Sequence, residues 1–153
     1  AGSRVVVVPV SVPKAAALAE LLTPDQPLFA ITPNRDELAA LTGLPTGSDD
    51  ELVAAATTLH ERGVTHVWAR LGERGSLLAS PEHHVFLPAI PTEVVDVTGA
   101  GDSALAAFCH AIVLGDDPVD AATYAHAAAS LTIAAPTTVR TDLTDRLVRS
   151  LLS

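Results

Sequence analysis

The stretch Asp96-Val-Thr-Gly-Ala-Gly-Asp102-Ser-Ala-Leu-Ala-Ala-Phe108 is where residue types and spacing could do chemistry. A strand-like run enters a glycine-containing turn and passes directly into an apolar helical pattern. Gly99 and Gly101 allow the backbone to come close to a ligand, and the N–H groups of the first helical turn favour an anion. Such a turn is a phosphate cradle. Asp102 then sets a carboxylate beside the bound anion, a repulsion from which a site made only for binding gains nothing. A phosphotransferase does gain from it, because a carboxylate next to the γ-phosphate can accept the proton of an attacking alcohol.

Two other readings of this turn stay open on the residues alone. Gly99-x-Gly101-x-x-Ala104 also matches the dinucleotide-binding fingerprint. That fingerprint needs a following strand with an acidic residue about 20 positions on, and here the chain runs from helix to helix through Asp116-Asp-Pro118. The plainest reading is a tight turn with Asp102 as a first-turn partner of the helix dipole. No Gly-x-x-x-x-Gly-Lys-Ser/Thr sequence occurs, so a P-loop is absent.

The elements that must position these residues alternate along the chain. Val5 to Val8 reads as a strand buried on both faces, and Pro13 opens a helix that continues from Lys14 to Leu22. Leu28 to Thr32 is a second strand. Asn34 caps a helix to Thr42 closed by Gly43, and Ser48 with Glu51 forms a capping box for a helix to about Arg62. Val64 to Leu71, Gly75 to Ala79, His83 to Leu87 and Val94 to Val97 read as strands. A long helix to about Leu114 follows the glycines. Asp117-Pro118 starts another through Ile133, and Thr141 or Asp142 starts a last one to Leu152. This order predicts an α/β layered fold with a mostly parallel sheet flanked by helices, in one domain over residues 1–153.

With those motifs in place, Asp96 to Asp102 resembles the Asp-x-Thr-Gly-Ala-Gly-Asp signature of the ribokinase-like, or PfkB-type, sugar and nucleoside kinases. Pro33-Asn34-Arg-Asp-Glu37 is similar to the family's Asn-x-x-Glu motif. Arg70-Leu-Gly72-Glu-Arg-Gly75 resembles its Thr/Lys-Leu-Gly-x-x-Gly turn, with Arg in place of Thr or Lys. Ala125-His126-Ala-Ala-Ala-Ser130-Leu-Thr132 looks like the late helix beside the nucleotide base. These motifs fall in the expected order and span residues 33 to 132. All belong to the C-terminal, nucleotide-binding half of such kinases, so the lid and the substrate half have no counterpart here. The resemblance also implies a branch: Val8 to Lys14, Ile31 to Leu38 and Thr137 to Leu143 look most like the pseudouridine kinases.

The resemblance implies ATP and Mg²⁺ as ligands and Asp102 as the general base. It implies that the N–H groups of Gly99, Ala100 and Gly101 form the anion hole for the transferred phosphoryl group. Asn34 and Glu37 are similar to the residues that organise the phosphate and Mg²⁺ region, Glu37 through water; their spacing is equally that of a helix cap and its partner. Arg70, Gly72, Gly75 and His126 would lie on the nucleotide side, His126 having packed core histidine as its alternative. Asp96 and Thr98 resemble positions near a monovalent-cation site that would take K⁺. The acceptor implied is a small sugar or a nucleoside. A nucleotide-binding or regulatory module without chemistry is the alternative, which the retained Asp102 argues against.

Composition sets bounds on this. Hydrophobic residues make up 48% of 153, enough for a core, and nine Lys and Arg against 18 Asp and Glu leave a formal charge of −9. That balance argues against nucleic acid and anionic membranes as partners. No apolar run approaches a membrane span. The single cysteine, Cys109, precludes an internal disulfide and fits a cytoplasmic, reducing location. His83 and His84 point to opposite sides of a strand and make a poor metal pair, while Trp68 and Cys109 read as core. The chain starts at Ala1 and contains no methionine, so residues are expected to precede it. The expectation is that this chain alone has little turnover, and that an open sheet edge favours a dimer or association with the upstream half.

Overall fold

The computed structural model describes residues 3–136 and 140–153. They fall into two compact units, Ala1–Leu87 and Pro88–Ser153. Residues 137–139, part of the run compared above with pseudouridine kinases, lie outside the described residues.

The first unit holds strands β1 (Val6–Val7), β2 (Leu28–Ile31), β3 (Val64–Arg70), β4 (Ser76–Ala79) and β5 (His84–Leu87), in that spatial order. Helices α1 (Val12–Ala19), α2 (Arg35–Thr42) and α3 (Asp49–Glu61) connect the first three. β1, β2 and β3 pair in parallel, whereas β3–β4 and β4–β5 are antiparallel. The sheet is therefore mixed, where the sequence reading expects a mostly parallel one. The connections decide this: the turns through Gly72–Arg74 and Ser80–His83 are far too short for the crossover a parallel pair requires.

Val5 is exposed and Val6 and Val7 are half-buried, so the opening run is not covered on both faces as expected. Its apolar continuity marks a strand, but β1 is an edge of the described sheet with β2 as its one neighbour. Val10 follows with φ 70°, a conformation β-branched residues seldom take, and the chain turns there into the Ser11 cap of α1. α1 stops at Ala19, short of the expected Leu22.

Both predicted capping boxes are present. Asn34 Oδ1 accepts the Glu37 N–H at 2.8 Å and Glu37 Oε2 accepts the Asn34 N–H at 2.9 Å; Ser48 and Glu51 do the same for α3. Gly43, at φ 72°, ends α2. After α3, Gly63 takes φ 91°, and a Cβ there would stand 2.7 Å from the Thr23 carbonyl oxygen, so only glycine lets the two segments approach. The apolar faces of α2 and α3 (Leu38, Leu41, Leu52, Leu59) meet Ile31, Val64, Val67 and Leu77 of the sheet in one buried cluster. Trp68 is 1% exposed, and its indole N–H donates to Ser76 Oγ at 2.8 Å.

The second unit contains α4 (Ala100–Leu114), α5 (Pro118–Ile133) and α6 (Asp145–Ser150). Buried alanines, including Ala104, Ala107 and Ala111 on α4 and Ala121, Ala125 and Ala128 on α5, allow these helices to pack closely. Asp117 caps α5 and Pro118 occupies its first turn. α6 starts later than the sequence suggests and stops at Ser150. Thr144 is its cap, while the Asp142 carboxylate is engaged by Arg140 at 2.6 Å. The expected strand at Val94 to Val97 does not form. The N–H groups of Val95 and Asp96 both donate to one acceptor, the Ile133 carbonyl, at 2.8 and 3.1 Å, which is an anchor and not a ladder. Val94, Val95 and Val97 are exposed.

Candidate active site

The singled-out residues form two sets, one in each unit. In the second unit, Gly99 is the N-cap of α4 at φ 80°, ψ −5°, a left-handed conformation that glycine takes without a Cβ penalty. This turn aims the start of α4. Ala100, Gly101 and Asp102 make up the first helical turn, and Asp102 is exposed there. First-turn N–H groups have no intrahelical acceptor and carry the positive end of the helix dipole. The Ala100 N–H already reaches the Val97 carbonyl at 3.3 Å, a long bond, and Ser103 closes the turn onto Gly99 O at 2.9 Å.

Upstream, Asp96 Oδ1 accepts the Thr98 N–H at 2.8 Å. Hydrogen bonds from the Thr98 hydroxyl and then its N–H hold the Asp96 carboxyl below the usual carboxylate range. Asp96 is thus an anion bound into its own loop, and that loop is tied to the last turn of α5 through Ile133.

Sequence reasoning passed over a second tie. The Thr132 hydroxyl is hydrogen-bonded to the Ser103 hydroxyl at 2.7 Å, so α5 also holds the first turns of α4. The signal was available, since both residues lie inside quoted motifs, but nothing in their spacing pairs them.

His126 lies on α5, and its Nδ1 is 3.0 Å from the Pro88 carbonyl. A carbonyl only accepts, so Nδ1 carries the proton. Burial pushes the ring below the ordinary histidine value, outweighing the opposing effect of that hydrogen bond. NMR titration of the His126 ring should therefore show a midpoint below 6.5; a midpoint at or above it would contradict this assignment. Cys109 on α4 is half-buried, and burial raises its thiol pKa, the behaviour of a packing residue.

In the first unit, the structure unites two motifs that lie apart in sequence. The Arg70 N–H donates to the Pro33 carbonyl at 2.9 Å, and Arg70 pairs with Asn34 in a parallel bridge. The end of β3 thus lies beside the start of α2. Glu37 is 3% exposed, and the Arg70 guanidinium stands 3.7 Å from its carboxylate. Arg70 is therefore engaged with Glu37, a contact the sequence reading did not foresee. Gly72 and Gly75 bracket the following 3-10 turn at φ 61° and 90°, with Leu71 N–H bonded to Gly75 O at 2.8 Å.

Among the described residues, no group of three or more His, Cys, Asp or Glu side chains gathers into a metal-binding cluster. Glu37 contributes a lone buried carboxylate. That donor set fits Mg²⁺, which keeps its waters and binds through one or two carboxylates plus phosphate oxygens, and does not fit an all-protein metal cage. Among the described residues, no helix is long and apolar enough to cross a membrane.

A model described as pfkB family carbohydrate kinase matches residues 3–145. The chain belongs to this family.

The 1-phosphofructokinase of Haloferax volcanii is 41% identical over 104 residues, which is 68% of this chain and 33% of that protein. Ribokinase from Arabidopsis thaliana, solved with ribose and ATP, superposes with a TM-score of 0.81 at 30% identity, covering 99% of this chain and 48% of that one. Phosphofructokinase-2 from Escherichia coli, solved with potassium, shares the fold with a TM-score of 0.81 at 22% identity, over 98% of this chain and 48% of that one. The chain spans about a quarter to a third of the length of the curated relatives it matches and about half of the two solved structures. Both solved structures hold the α/β fold described above.

Proposed function

We propose that this chain carries the nucleotide side and the general base of an ATP-dependent kinase acting on an alcohol of a sugar or ribonucleoside. The observation that carries the reading is Asp102 in the exposed first turn of α4, three residues after the left-handed Gly99. The acceptor hydroxyl gives its proton to the Asp102 carboxylate while its oxygen forms the new bond to the γ-phosphorus. The bond from that phosphorus to the bridging oxygen breaks, and ADP leaves with the electron pair. The N–H groups of Gly99, Ala100 and Gly101 stabilise the charge on the transferred group.

Asn34, Gly72, Gly75 and His126 serve the nucleotide, the neutral His126 ring on the base side. Glu37 is the carboxylate that would hold Mg²⁺ through water, and the ion would supply neutralisation of phosphate charge there. Asp96, whose N–H is anchored on the Ile133 carbonyl, and Thr98, whose N–H is bonded to the Asp96 carboxylate, are the candidates for a K⁺ site. The residues that select the acceptor belong to the remainder of a full-length kinase. Within the family, the 5′-hydroxyl of pseudouridine is the acceptor we propose to test first, with ribose, fructose and adenosine as competitors.

Calorimetric titration of the chain with ATP, with and without Mg²⁺, tests the nucleotide side, and one saturable site per chain is expected. Acceptor-dependent ADP release by the full-length protein tests the rest. A folded sample that binds no ATP and a full-length protein that turns over no sugar or nucleoside would dismiss the proposal.

A further inference from the structure

Glu37 poses an electrostatic problem inside the first unit. Its carboxylate is almost fully buried and accepts the Asn34 N–H. A charge at that depth needs further compensation. Arg70 provides it at 3.7 Å, too long for a hydrogen bond, so the pair is one of charge and not a locked two-pronged fork. Backbone hydrogen bonding places Arg70: its N–H on Pro33 and its bridge to Asn34 bring the guanidinium to Glu37 wherever β3 and α2 form. Its Nε is buried without a hydrogen-bond partner, while the side chain as a whole is 30% exposed. Loosely paired and still 30% exposed, the rest of the guanidinium retains capacity for a second anion.

We propose that Arg70 is a positioning residue, a built-in cation that holds the Glu37 carboxylate and offsets its repulsion of nucleotide phosphates. ATP binding is then less dependent on a divalent ion than a bare carboxylate would make it. The inference rests on the nucleotide reading given above. The motif this segment resembles has Thr or Lys at the position, where this chain carries a planar guanidinium.

The test is calorimetry of ATP binding in excess Mg²⁺ and in EDTA, together with thermal unfolding. It compares the unsubstituted chain with Arg70→Lys, Arg70→Gln, Glu37→Gln and the double variant Arg70→Gln/Glu37→Gln. Arg70→Gln should weaken Mg²⁺-free binding by about tenfold or more and Mg²⁺-supported binding by less than about threefold. Arg70→Lys, which keeps the charge, should retain most of the Mg²⁺-free affinity. The double variant should recover part of it, because the repelling carboxylate is gone as well. Equal losses with and without Mg²⁺, shared by the Lys and Gln variants, would reduce Arg70 to a structural residue and overturn the proposal. Unfolding separates the two levels. Melting shifts of the single variants that simply add in the double variant would refute the pairing itself. Non-additive shifts in a chain that binds no ATP would uphold the pairing and remove the nucleotide reading, and with it the proposed role toward phosphate.

Discussion

On the proposed kinase reading, Asp102→Asn is expected to lower acceptor-dependent turnover by about 10²- to 10⁴-fold while leaving ATP binding within about threefold of the parent. The substitution keeps the size and shape of the side chain and removes its ability to take a proton. Asp102 sits exposed at the third position of α4, so no core packing changes. If Asp102 is only a partner of the helix dipole, the variant loses a little stability and keeps its turnover. Steady-state ADP release and ATP calorimetry on the same preparation separate the two cases. Unchanged turnover would remove Asp102 as the base. A parallel collapse of ATP binding would show instead that the carboxylate shapes the nucleotide site.

The second large effect is on stability. Leu38→Ala should destabilise the first unit by about 2–5 kcal/mol, the range for truncating a fully buried leucine. Leu38 is 0% exposed, follows Glu37 directly, and packs with Leu41, Leu52, Leu59 and Val67. Its N–H donates to the Asn34 carbonyl at 2.9 Å, so the side chain that fills the core also fixes the turn carrying Asn34 and Glu37. Against a typical total stability of about 5–15 kcal/mol, this loss is large. Urea unfolding measures it, with Leu38→Met as a volume-conserving control expected to cost less than about 1.5 kcal/mol. A loss below about 1 kcal/mol for Leu38→Ala would mean that α2 is not held by this core.

Features written within a few consecutive residues were legible without a structure. The capping boxes at Asn34–Glu37 and Ser48–Glu51 are i, i+3 patterns whose hydrogen bonds close locally. Helix ends read from apolar periodicity alone were less well placed. α6 starts at Asp145 and not at Thr141, because Asp142 is taken by Arg140, a contact that periodicity does not encode. Val94 to Val97 has the composition of a strand but no neighbour offering a ladder, and β-propensity without a partner makes no strand.

The site divides along the same line. The sequence by itself determined the glycine turn before Asp102, the order of the motifs and membership of the pfkB family. Each depends on residue identity at short spacing, and a backbone that must turn left-handed at Gly99 leaves little choice there. Only the tertiary structure decided that Arg70 faces Glu37 from another motif, that Ser103 meets Thr132, and that the Asp96 loop hangs from the Ile133 carbonyl. Those partners lie about thirty or more positions apart. What brings them together is strand register and helix packing, which arise when whole elements bury their apolar faces and which no local pattern specifies.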